Sequence, residues 1–194
     1  MKVVNNWMVL RKICALTFDI LTLPILCIFL VAQVFIQYSF VSEAISLIPF
    51  SLGMRLRKNF YKLTLKKCGK KVSFGFGTIL SYKDIEIGNN VRIGPYNSLG
   101  HVRIGDNVLT AQYCHFLSGA KQHGYNRLDI PIYQQSGIVE TINIGSDVWV
   151  GCNATVMTSV GDGCIVGAGS VVTKQIEDFN IVGGNPAKLI KKRI

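Results

Sequence analysis

Residues 118–137 read SGAKQHGYNRLDIPIYQQSG, and His123 is the residue of this polar stretch best suited to chemistry. An imidazole titrates near neutrality and can take a proton from an attacking hydroxyl, a contribution of roughly 10²–10⁴-fold to a transfer step. On composition alone a solvent-exposed loop histidine is the commoner case. The other two histidines, His101 and His115, are separated from each other and from His123 by gaps of 14 and 8 residues. The six cysteines, Cys14, Cys27, Cys68, Cys114, Cys152 and Cys164, form no CxxC pair and no metal-ligand spacing. They read as small, reduced, mostly buried residues of a cytoplasm-facing protein. No serine or cysteine nucleophile sits in a recognisable constellation. No such nucleophile therefore competes with His123 for a chemical role.

The elements that must position His123 announce themselves by a beat. Ile87 and Ile93, then Ile144, Val150 and Val156, then Val160, Val166 and Val172 recur six residues apart, mostly followed by glycine. An internal repeat is read before any single motif. An aliphatic residue every six, with a small residue at the corner, suits a triangular coil whose flat sides stack into parallel sheets around an apolar axis. Residues 118–137 interrupt the beat, and such a coil can extrude a loop at a corner without disturbing its core.

IGNNVRIGPYNSLGHVRIGDNVL and IGSDVWVGCNATV…VGDGCIVGAGSVVTK…IVGGNPAKLIKK resemble the hexapeptide-repeat acyltransferases over residues 69–194. The resemblance implies a mainly β fold, a left-handed parallel β-helix, with acetyl-CoA as donor in a groove between neighbouring chains of a homotrimer. It implies that His123 is the general base, because His123, Tyr125, Asp129, Pro131 and Ile132 fit the family's loop pattern. It implies that Trp149 lines the donor groove and that Gly151, Cys152, Ala168, Thr173 and Lys174 touch the pantetheine arm. Lys188 and Lys191, on a short tail helix opened by Asn185-Pro186, would reach the phosphates or else form a solvated basic tail. Asn97, Tyr125, Asp129 and Gln134 are candidates for the acceptor side. The chain departs from the family in the step from Val156 to Val160, only four residues long, which reads as a trimmed corner. Related zinc carbonic anhydrases use a close histidine pair and a distant third, which the gaps of 14 and 8 fit poorly, so no metal is expected.

The front of the chain differs in kind. Residues 1–71 hold 11 Lys/Arg and 2 Asp/Glu, a balance of 11 − 2 = +9, while residues 72–194 hold 10 and 9, a balance of +1. No nucleic-acid reader motif accompanies the charge. It flanks the apolar run ICALTFDILTLPILCIFLVAQVFI (13–36), which favours an anionic membrane surface over nucleic acid as the expected partner. The run is long enough to span a bilayer, but Asp19, Pro24 and basic residues on both flanks favour a re-entrant hairpin bent near Pro24, with a single span as the alternative. MRLRKNFYKLTLKKCGKK (54–71) reads as a basic helix on lipid headgroups, or as a solvated linker helix.

The expected organisation is therefore a membrane-embedded and amphipathic helical segment (1–71), a β-helix acyltransferase domain (72–184) and a basic helical tail (185–194). The expected activity is O-acetylation of a saccharide at the cytoplasmic face of the inner membrane, on a lipid-linked precursor of a surface polysaccharide. N-acetylation of an amino-sugar, or a non-catalytic membrane-tethered scaffold, are the alternatives.

Overall fold

The computed structural model of the protein describes residues 17, 20 and 22–193. From Lys67 the chain winds as a three-sided left-handed parallel β-helix. Its first face carries strands Lys67–Cys68, Glu86–Ile87, Val102–Ile104 and Ile142–Ile144. Its second carries Ser73–Phe74, Arg92–Ile93, Leu109–Thr110, Trp149–Val150, Ile165–Val166 and Asn180–Gly183, and its third Ile79–Leu80, Ser98–Leu99, His115–Phe116, Thr155–Val156 and Val171–Val172. The six-residue beat sets this geometry. Ile87, Ile93, Leu99, Ile104, Ile144, Val150, Val156, Val166 and Val172 all point inward and are buried in one continuous core. Burying a row of such side chains, at roughly 1.5–3 kcal/mol each, is the main force holding coil on coil.

The corners after the first face need a left-handed residue. Asn90, Asn107 and Asp147 sit there at φ of 57°, 59° and 56°, as short polar residues can. A ladder of side-chain acceptors supports the same edge: Asn89 N–H donates to Asp106 Oδ1 at 2.5 Å, and Ser146 N–H to Asp162 Oδ1 at 2.5 Å. The short step from Val156 to Val160 is accommodated as a trimmed corner. Val160 bridges Ile144 below and Ile176 above, and Val172 to Ile176 repeats the four-residue step.

The tail helix expected after Asn185-Pro186 is corrected by the structure. Lys188–Lys192 is a strand, antiparallel to Asn180–Gly183. The physical reason is the open edge of the second face, whose unpaired N–H and C=O groups are satisfied by a returning strand.

Three helices precede the coil: α1 over 22–35, α2 over Tyr38–Ser46 and α3 over Phe50–Thr64. Pro24 lies within α1, and the break between α1 and α2 falls at Ile36–Gln37. Residues 1–16 and Asp19 lie outside the described residues, so most of the expected hairpin's first limb does too. Among the described residues no helix is long and apolar enough to cross a membrane.

α3 forms as a helix over part of the basic stretch, with one face buried. Its Leu56, Arg57, Phe60 and Tyr61 are buried against the first coil, so this face closes the end of the β-helix. Arg57, expected among the headgroup-facing cations, is 2% exposed. Its Nη1 donates to the carbonyls of Ser46 (3.1 Å) and Ile48 (2.8 Å), and its Nε to that of Phe74 (3.2 Å). A cation there satisfies the unpaired carbonyls at the end of α2. Tyr61 Oη bonds the Ser42 hydroxyl at 2.7 Å, and the same hydroxyl accepts Leu80 N–H at 2.8 Å. Helix and coil are thus joined by buried polar bonds, and the boundary expected at residue 71 falls inside this packed unit.

Candidate active site

The loop leaves the coil after the third face. Ser118 O accepts from Glu140 N–H at 2.9 Å and Lys121 O from Ile138 N–H at 2.7 Å, so two short stems pair before Ile142 resumes the first face. The insertion therefore runs to Thr141, four residues beyond the polar stretch read from sequence. At its root, the His101 N–H donates to Ser118 Oγ and the His101 carbonyl accepts from Ile142 N–H. His101 Nδ1 lies 2.7 Å from Asp84 Oδ2 and its ring stacks on Tyr82. His101 thus has a structural role at the base of the loop, while His115 sits exposed on the third face.

His123, Tyr125, Lys121, Asn126, Ser136 and Gly137 surround an open cavity of about 330 Å³. The imidazole is exposed and has no hydrogen-bond partner among the described residues. Gly137 allows this shape: a Cβ there would fall 1.9 Å from Gln122 O and 2.5 Å from His123 N. Gln135, which no spacing in the sequence singles out, stitches the loop. Its Nε2 donates to Arg127 O (2.7 Å) and Ile130 O (3.2 Å), and its Oε1 accepts from Arg127 N–H (3.1 Å).

Of the acceptor-side candidates, Tyr125 shares the cavity with His123. Gln134 lines an adjoining cavity on the other side of Gly124 and Asn126. Asp129 is engaged by Arg127, with Nε to Oδ1 at 3.0 Å, and that guanidinium holds its carboxyl below the usual range. Asn97 is not at the site. It is 1% exposed, its Nδ2 donates to Thr110 Oγ1 at 2.5 Å and its Oδ1 accepts from Cys114 N–H at 2.7 Å. Both ends of the amide are used inside a corner, so Asn97 is a structural residue.

The donor-side candidates fall on other parts of the coil. Trp149 points outward from the second face and is half exposed. It is in register with Ile165, which is in register with Ile181, which faces Lys191. An irregularity in the last pairing sets Lys188 opposite Gly183 and Lys191 opposite Ile181, so both lysines lean to the outer side with Trp149. Gly151, Cys152 and Ala168 stack at the corner between second and third faces, where a Cβ on Gly151 would fall 2.6 Å from Ala168 N. Thr173 and Lys174 occupy the next corner, after the third face, as does the His123 loop. The donor-side candidates are thus divided between two edges of the prism: Gly151, Cys152 and Ala168 lie one face-width from the edge that carries the His123 loop, and Thr173 and Lys174 lie on the loop's own edge.

No group of three or more His, Cys, Asp or Glu side chains converges as a metal site among the described residues. Cys27, Cys68, Cys114, Cys152 and Cys164 are unpaired thiols, and burial raises that of Cys114 to about 11.

Comparison with known proteins agrees with this architecture. Residues 141–174 match the family described as the hexapeptide repeat of succinyl-transferase. "Probable acetyltransferase Rv3034c" of Mycobacterium tuberculosis is 33% identical over 114 residues, 56% of this chain and 37% of that protein, so the chain spans well under half of that relative's length. A maltose O-acetyltransferase from Clostridium difficile 630 superposes with a TM-score of 0.69 at 22% identity, covering 80% of this chain and 86% of that one. A galactoside acetyltransferase in complex with coenzyme A gives 0.68 at 21% identity, covering 81% of each. The fold is shared with these two enzymes, and residues 141–174 are similar to the hexapeptide repeat.

Proposed function

We propose that the protein is an acetyltransferase that moves an acetyl group from acetyl-CoA to a sugar hydroxyl, with His123 as general base. The observation that carries the reading is the exposed, unpartnered imidazole on a stitched loop, extruded from a β-helix shared with enzymes that act on maltose and galactoside. Acetyl-CoA brings the thioester, and the acceptor brings the hydroxyl. His123 takes the hydroxyl proton as the oxygen attacks and returns a proton to the departing thiolate, so no covalent enzyme intermediate is needed. Trp149 and the outward column ending at Lys191 provide an apolar strip closed by a cation, which suits a long donor with an apolar arm and a phosphorylated end. The distance of Gly151, Cys152 and Ala168 from the loop's edge supports a homotrimer in which the loop of one chain faces that corner of the next.

The acceptor we favour is a lipid-linked saccharide at the cytoplasmic face of the inner membrane. The support is the +9 balance of residues 1–71 and the exposed apolar residues of α1, Ile28, Val31, Val34 and Phe35. The deciding experiment supplies acetyl-labelled CoA and a host lipid extract to the detergent-purified protein and to His123→Ala. Label in a lipid-linked saccharide, lost in the variant, is the expected result. Label only in water-soluble acceptors removes the lipid-linked substrate, and full transfer by His123→Ala removes the base.

A further inference from the structure

Phe50, Met54, Lys58 and Lys62 follow one another at four-residue spacing on one exposed stripe of α3. The stripe begins apolar and becomes cationic. Phe50 is 86% exposed and held at φ 59°, a left-handed conformation that a bulky side chain adopts at a cost. Nothing among the described residues rewards that placement of an aromatic ring.

One turn further on, Arg55, Lys58, Asn59, Lys71 and Ser73 line an open cavity of about 390 Å³ between α3 and the first corner of the coil, with Met54 and Val72 as apolar wall. Two features of this cavity are unexplained by folding. Lys58 and Lys71 bring two ammonium groups to one concavity, and among the described residues no carboxylate lines it. Lys71 also sits at φ 56° in the corner position that the next four coils fill with Asn90, Asn107, Asp147 and Gly163. Those are the residue types the left-handed region favours, and lysine is not among them. Phe179 departs from the pattern in the last coil, but its ring lies over Gly163 and is accounted for by packing. The backbone conformation thus favours other residues at 71, and the cavity is what its ammonium group can serve.

We propose that this cavity binds the phosphate of an anionic phospholipid, with Met54 and Phe50 standing against the acyl region beside it. The inference rests on the membrane-associated reading above and adds a defined headgroup site to it. The Lys58 and Lys71 ammonium groups supply charge, and the Asn59 amide and Ser73 hydroxyl supply donors for phosphate oxygens. The apolar pair on the same stripe selects a lipid over a soluble phosphate. Phe50 lies about 12 Å along the helix from Lys58 at ~1.5 Å per residue, a span matched to the headgroup and upper acyl region. The coenzyme strip is elsewhere: the Trp149 strand is three strand spacings, roughly 14 Å, along the second face from Ser73.

The test uses the full chain and flotation on vesicles of phosphatidylcholine, alone or with about a third phosphatidylglycerol. Lys58→Gln with Lys71→Gln should weaken partition onto the anionic vesicles roughly 30-fold, at about 5-fold per cation, and leave binding to the neutral vesicles unchanged. Lys67→Gln with Lys70→Gln removes the same charge outside the cavity and should weaken it far less. All four lysines are exposed, so matched melting curves for the two double variants confirm folding. Equal losses in both would mean diffuse attraction and overturn the site. Displacement by inorganic phosphate or CoA as readily as by short-chain phosphatidylglycerol would overturn the lipid assignment. Binding of the unaltered protein to neither vesicle would remove the membrane reading itself.

Discussion

At the scale of single residues, the same side chain type serves unlike purposes according to what surrounds it. His101 is held by Asp84 and Tyr82 at the loop root, whereas His123 is left open above a cavity. His123→Ala should lower acetyl transfer by roughly 10²–10⁴-fold while coenzyme binding, read from Trp149 fluorescence, is retained. Asn97→Ala should act the other way, on stability and not on the acceptor. It leaves the Cys114 N–H without its buried acceptor and takes away one of the two donors to Thr110 Oγ1, at a cost of about 1–3 kcal/mol in denaturant unfolding. Asn97 and Arg57 mislead in the sequence because a polar residue in a repeat corner or a basic run looks solvent-facing. Only the three-dimensional arrangement of backbone donors and carbonyls shows that these groups are consumed inside.

At the scale of elements, the β-helix was legible because the inward aliphatic residue recurs at a fixed step, and corner glycines and asparagines recur with it. The tail was not: KLIKK has no period long enough to separate helix from strand, and the deciding partner, the open edge at Asn180–Gly183, is a tertiary feature. The loop was legible as an interruption but not in its internal stitching, since Gln135 works through side chain-to-backbone bonds that follow no spacing rule. Gly137→Ala should therefore depress turnover strongly, by displacing Gln122 and His123, with little change in melting temperature because the loop lies outside the coil's core. The helical cap carries a pH signature. Burial raises the Tyr61 hydroxyl to about 12 from an ordinary 10, so the folded state keeps a proton that the unfolded chain loses between these values. Its contribution to stability is complete below pH 10 and falls as pH rises from 10 to 12, which alkaline unfolding followed by tyrosine absorbance would show.

At the scale of the whole molecule, the separation of the His123 loop from Trp149 and the Gly151 corner, together with the proposed donor role of those residues, predicts an assembly with shared sites. His123→Ala and Trp149→Asp chains, each inactive alone, should regain activity when refolded together, because a site can then draw its loop from one chain and its donor strip from another. No recovery in mixed assemblies, shown by light scattering to be trimers, would place both parts of the site in one chain.

The two ends of the coil are closed by different means, α3 at one and the returning Lys188–Lys192 strand along the last edge of the second face at the other. A solenoid closed at both ends has a fixed length although its repeat does not impose one. A duplicated whole turn could be spliced into its middle without disturbing either terminus. Loss of the returning strand, by contrast, would leave a raw sheet edge onto which a second molecule could polymerise.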